Sequence, residues 1–211
     1  MPVRRYKADL DELGAMAQAL ATYLEATLAW GEGVQLGEGR ALWEPPELDE
    51  DLVLPSVVCL GKSETADRHG LQPCYLEGSE DAQDALRTES GDVLCLVGES
   101  RGTCTLEVWA ATGEERSQIA LAIKSALETV EDPSATRDYV ELELPRYYGG
   151  GVVQARVEWQ QSTVQDVEVE TGRRHRIQEI VVGFQIPMVR PVAVERMGVF
   201  MPRFSVEVPE D

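Results

Sequence analysis

Along residues 9–29 the apolar positions Leu10, Leu13, Ala17, Leu20, Leu24 and Leu28 recur at helical spacing on one face. Asp9 and Glu12 have the spacing of a capping box, and Trp30-Gly31 marks the end of the helix. A single apolar stripe must be covered by a sheet or by a neighbouring subunit. A second helix is predicted over about 113–130. Thr112 and Glu115 open it, Ile119, Ile123, Ala126, Leu127 and Val130 form its stripe, and Asp132-Pro133 stops it.

Elsewhere the period changes from helical to two. Leu54–Leu60 reads as a strand entered through Pro55. Val93–Val97 predicts a strand, Gly98–Gly102 a turn, and Thr103–Ala110 the returning strand of a hairpin, with Cys104, Leu106, Val108 and Ala110 on one side. Val140, Leu142 and Leu144 alternate with Tyr139, Glu141 and Glu143. Val153, Ala155, Val157 and Trp159 share a face of the next strand. Residues 164–171 fit a strand or a short helix. Ile177–Val189 is long and β-rich, and Phe204–Val208 closes the chain as a short strand. Gly, Pro and acidic residues punctuate an irregular acidic excursion at about 31–91, broken by Leu54–Leu60 and a short strand near Cys74–Leu76. The order predicts a single α+β domain over residues 1–211, with a mainly antiparallel (mixed) sheet flanked by two principal helices.

Charge changes the picture more than length does. The 211 residues carry a net charge of -19, and residues 1–100 hold 20 acidic against 7 basic side chains. Such a chain repels phosphate backbones, so stable nucleic-acid binding is not expected, although DNA can pass by without sticking. Neither a signal peptide nor an apolar run long enough for a membrane span is evident. Cys59, Cys74, Cys95 and Cys104 lack CxxC spacing and read as buried thiols, with a Cys95–Cys104 pair across the expected hairpin left open.

The sharpest chemical motif is Gly98-Glu99-Ser100-Arg101-Gly102, a G-x-S-x-G, with Asp138 and His175 downstream in triad order. A nucleophile elbow needs a helix after it. Here Thr103-Cys104-Thr105-Leu106-Glu107-Val108 alternates as a strand, so a turn is the better account. Cys59, His69 and Cys74 match no zinc pattern, and Gly149-Gly150-Gly151 lacks the Lys-Ser/Thr of a phosphate loop. Asp49-Glu50-Asp51 and the pair Glu141 and Glu143 read as solvated faces. No catalytic residue, cofactor or metal is assigned, and the chain is read as a non-enzyme.

One basic cluster remains, Arg173, Arg174 and Arg176 around His175. It reads either as a charged sheet edge or as a contact with an acidic surface, the nearest being another copy of the chain. Arg146, Tyr147 and Tyr148 are residue types favoured in the same intersubunit contact.

The order strand Cys104–Ala110, capped helix Gly113–Val130, the turn Leu144-Pro145-Arg146-Tyr147-Tyr148-Gly149 and a late arginine cluster before Ile177–Val189 resembles the bacteriophage tail-terminator and neck (tail-completion) proteins. The resemblance covers a little under half of the chain, from Thr103 to Met197. It implies a virion component, assembled in the bacterial cytoplasm, that forms a ring (a hexamer in that family). The ring caps the tail tube, joins it to the head and contacts tube, neck or sheath proteins. An acidic lumen would suit a ring through which DNA slides. The alternatives are an acidic host-side adaptor or immunity-type protein and, third, a small serine hydrolase using Ser100.

Overall fold

The computed structural model describes residues 10–28, 40–43, 53–74, 86–88, 90–128, 139–144, 147, 153–168 and 174–193, with backbone alone at 166–168 and 174–176. Its elements are α1 (Glu12–Leu28), β1 (Ala41–Leu42), β2 (Ser56–Pro73), β3 (Val93–Ala110), α2 (Gly113–Leu127), β4 (Val140–Glu143), β5 (Gln154–Glu168) and β6 (Arg174–Val192). The strands form one six-stranded mixed sheet in the order β1-β2-β3-β6-β5-β4. Only β1 against β2 is parallel; the other pairs are antiparallel. The fold is therefore the expected α+β class.

Both helices lie on one face of the sheet, tied together by the Tyr23 hydroxyl donating to the Ala126 carbonyl at 2.7 Å. Beneath them Cys104, Leu106, Val108, Ala155, Val157, Ile180, Val182 and Ile186 are buried, so the alternation read in the sequence faces the helices. Thr112 caps α2 by accepting the Glu115 N–H at 3.2 Å, while Glu115 accepts the Ala111 N–H at 3.0 Å. A cap of this kind is worth about 1 kcal/mol. α2 ends at Leu127, short of Asp132-Pro133; Val130 lies outside the described residues.

Three expectations change, and one choice left open, at 164–168, is settled. Within the excursion at 31–91, residues 61–73 are strand: they continue β2 beyond Leu60 as a partner of β3. Its side chains at 61–72 are exposed, so no buried face imposed a period of two there. Gly98–Gly102 is not a turn: β3 runs unbroken from Val93 to Ala110, with a register shift between Leu96 and Gly98. Residues 164–168 are strand. The cap of α1 is Asp11, whose Oδ1 accepts the Gly14 N–H at 2.8 Å, and Glu12 turns into the interior. Asp9, Asp49–Asp51, Gly149–Gly151 and Phe204–Val208 lie outside the described residues.

Candidate functional site

The first turn of α1 sits close on the sheet because β2 carries glycine where it passes. A Cβ at Gly61 would lie 2.9 Å from Leu13 Cβ and 3.2 Å from the Leu13 carbonyl oxygen. That approach sends Glu12, 5% exposed, under the helix to meet Arg190 of β6 and Tyr147. Arg190 Nη2 forms an ion pair with Glu12 Oε1. The Tyr147 hydroxyl, 1% exposed, donates to Glu12 Oε1 at 3.0 Å and accepts from the Val189 N–H at 3.2 Å and from Arg190 Nη1 at 2.8 Å. Arg190 Nη1 also donates to the Val189 carbonyl at 2.9 Å.

The electrostatics fix the protonation states. Burial alone pushes the Glu12 carboxyl up, but the hydrogen bond and charge of Arg190, with the Tyr147 hydroxyl, bring it below its ordinary value. Burial, then the Glu12 charge, push Tyr147 upward, so it stays a phenol. Burial works against the Arg190 cation, and Glu12 and Tyr147 more than restore it. This is a satisfied clamp between α1, β6 and the segment around Tyr147, with its charges spent on one another. Glu64 lies nearby on β2; burial and then the charges of Glu12 and Asp11 raise its carboxyl.

Ser100 is 1% exposed in mid-strand, and its Oγ donates to Glu64 Oε2 at 3.4 Å. Ser100 pairs with Ile186 on β6 and His175 pairs with Val167. Eleven residues of strand therefore separate the serine's level from the histidine's, about 36 Å. Asp138 lies outside the described residues. Both glycines of the motif have packing reasons. Gly98 has φ +155° with the Asp67 carbonyl oxygen where a Cβ would stand, and at Gly102 the Ser63 carbonyl oxygen and the Phe184 ring occupy that space.

Cys59, His69 and Cys74 are spread along one strand: Cys59 is buried in the core, His69 is exposed ten residues further on, and Cys74 follows the strand's end. No metal-binding group of three occurs among the described residues. Cys95 and Cys104 lie on the same strand nine residues apart, about 30 Å, so the pairing left open by the sequence is not made. Burial pushes the Cys104 thiol up to about 12 and that of Cys95 to about 11.

The face of the sheet away from the helices has a different character. Register places Arg101, Gln185, Arg156 and Glu141 in one row across β3, β6, β5 and β4. Arg156 stands 5.1 Å from the Tyr139 ring centroid and 3.7 Å from Glu141 Oε1. Gln185 Nε2 donates to Glu99 Oε2 at 2.6 Å and, with Arg101 beside it, holds the Glu99 carboxyl below its ordinary value. A shallow cleft of about 400 Å³ opens between Arg101, Tyr139, Arg156 and Gln160. The pairing register puts Glu99, Glu107, Glu141, Glu143, Glu158 and Glu179 on this face, against Arg101 and Arg156.

Of the six residues singled out for an intersubunit contact, Tyr147 is the one whose side chain is described. It points inward, and its hydroxyl is committed to Glu12, Val189 and Arg190. The tyrosine-rich turn therefore owes this residue to the clamp and not to an outer surface. Arg146, Tyr148 and Arg173 lie outside the described residues. Arg174 and Arg176 open β6, paired in register with Glu168 and Asp166, so each arginine has an acidic residue opposite it within its own hairpin. β3 ends level with Arg176, and the β5–β6 hairpin projects beyond it. No described helix is long and apolar enough to cross a membrane.

The clamp was missed because its partners are far apart in the chain. One local signal existed: Glu12, Ala15, Met16 and Ala19 share a helix face, and all four are buried. No protein-family model matches the chain, and no curated protein matches it either.

Proposed function

We propose that the chain is a structural virion component of the tail-terminator or neck kind, acting as one segment of a ring that caps a tail tube and joins it to a head. The observation that supports this reading most is the two-sidedness of the sheet. One face is sealed by α1 and α2, and the other, without a helix among the described residues, carries six glutamates against two arginines. Copies arranged with their helices outward would line a channel with carboxylates. DNA moving through such a channel meets repulsion and makes no lasting ion pairs. The chemistry asked of the chain is then geometric: to stop tube growth and offer a new surface to the head.

The clamp fits this role as a rigidifier. It ties the outer helix layer to β6 at the centre of the sheet, so a load on the ring wall reaches both layers. The test is electron microscopy of the purified chain mixed with tail tubes assembled from a bacteriophage tail-tube protein. Rings seated on tube ends and an arrest of tube growth are expected. Tubes that grow to the same lengths with bare ends would rule the reading out.

A further inference from the structure

Among the described residues the sheet is open along both edges. On the outer side of β2, β1 covers only Val57 and Val58, and residues 61–72 are exposed. On the outer side of β5, β4 covers Gln154 to Val157, and nothing among the described residues pairs with 158–168. An edge of this length presents a row of backbone N–H and C=O groups ready to pair with another strand. Among the described residues, two exposed large apolar side chains mark these stretches: Leu71 on β2, 41% exposed, and Val164 on β5, 53% exposed.

Charge decides which edges can meet. The open stretch of β5 carries Glu158, Asp166 and Glu168, the last two opposite Arg176 and Arg174 of β6, and no basic residue of its own; that of β2 carries Lys62 and Arg68 beside Glu64 and Asp67. Two β5 edges would set acid against acid, whereas β5 against β2 brings lysine and arginine to the carboxylates. Direction agrees. Counting the antiparallel steps from β2 through β3 and β6 to β5 leaves β2 and β5 running oppositely, so a β5 strand placed beside β2 continues the antiparallel ladder. The two open stretches lie towards opposite ends of the sheet: β2 is open level with β3 residues 95–104, and β5 from Thr103 onward. Neighbouring copies are therefore displaced along the strands, which is the stagger that a sheet closing on itself requires.

We propose that the open stretch of β2 pairs with the open stretch of β5 of a second copy, head to tail, so that one sheet runs from copy to copy. The proposal rests on the reading above that the chain assembles with itself, and adds which surfaces meet. A contact of this kind is heterologous; it uses up both edges and ends only when a ring closes.

Light scattering on the eluting full-length chain, over a range of concentrations, tests it with two variants. Lys62→Glu/Arg68→Glu makes the β2 edge acidic, and adding Glu158→Lys/Asp166→Lys swaps the charges. The wild type is expected to associate, the acidified variant to need at least about tenfold more protein, and the swapped variant to recover most of that loss. Association of the wild type that ignores the acidified edge overturns the pairing and leaves self-assembly standing. Loss without recovery on the swap also overturns it. A wild type that is monomeric at every concentration overturns the pairing and the self-assembly reading together.

Discussion

Glu12 and Arg190, 178 positions apart in the chain, form an ion pair beneath the first turn of α1, with the Glu12 side chain 6% exposed and Arg190 34%. Each satisfies a charge that the interior would otherwise penalise, and Tyr147 bonds to both. The contact joins α1 to β6 and so closes the fold across almost its whole described length.

Removing one member of the pair strands the other. Arg190→Met is expected to cost about 3 kcal/mol in urea unfolding, and Glu12→Leu/Arg190→Met together substantially less, because no buried charge is left alone. Equal losses in the single and double variants would show that the pair is not coupled.

The same carboxylate gives the fold an acid limit. Glu12 is held below its ordinary value of 4.5, so its contribution is full above that value and fades as the pH falls towards its depressed one. Glu64 has the opposite sign: its carboxyl is raised, so the folded chain binds its proton more readily than the unfolded chain and gains stability as the pH falls through that value. Unfolding measured from pH 7 to 3 should show Glu12→Gln losing the steep acid decline. Glu64→Gln should be more stable than wild type at pH 7, and the difference should close below pH 4.5.

Much of the fold was legible where burial imposed a period. Residues 104–110, 153–159 and 119–127 each set one face against the core, and each reads correctly from its spacing. Residues 61–73 left no such trace: held by the backbone ladder to β3 with their side chains in solvent, they looked like a loop. Gly98 and Gly102 misled for a related reason, since glycine marks a close approach of backbones as readily as a turn. Tyr147 and Arg190 gave no local signal at all, because what recruits them is Glu12 at the other end of the chain.

The reading of those glycines is testable on its own. Gly102→Ala places a methyl group against the Ser63 carbonyl oxygen and the Phe184 ring and is expected to cost about 1–3 kcal/mol. Gly70→Ala meets nothing within 4 Å and should be neutral or slightly stabilising. Thermal unfolding of the two variants measures the contrast; similar shifts in Tm would refute the packing explanation.

The thiols should behave as four separate, protonated groups. With Cys59 and Cys104 fully buried and Cys104 raised to about 12, a thiol reagent at pH 8 should label the native chain slowly and at Cys74 first, the least buried of the four. Mass spectrometry after denaturation should find four free thiols. A disulfide between Cys95 and Cys104 would contradict the continuous strand.

The central claim is that this sheet is one segment of a larger one. Hydrogen–deuterium exchange of the full chain, compared between dilute and concentrated protein, reads it most directly. Amides at 61–73 and 158–168 should gain protection together as the concentration rises, while those of the buried β3 and β6 stay as slow as before. Fast exchange at both stretches in protein that has demonstrably associated would contradict it.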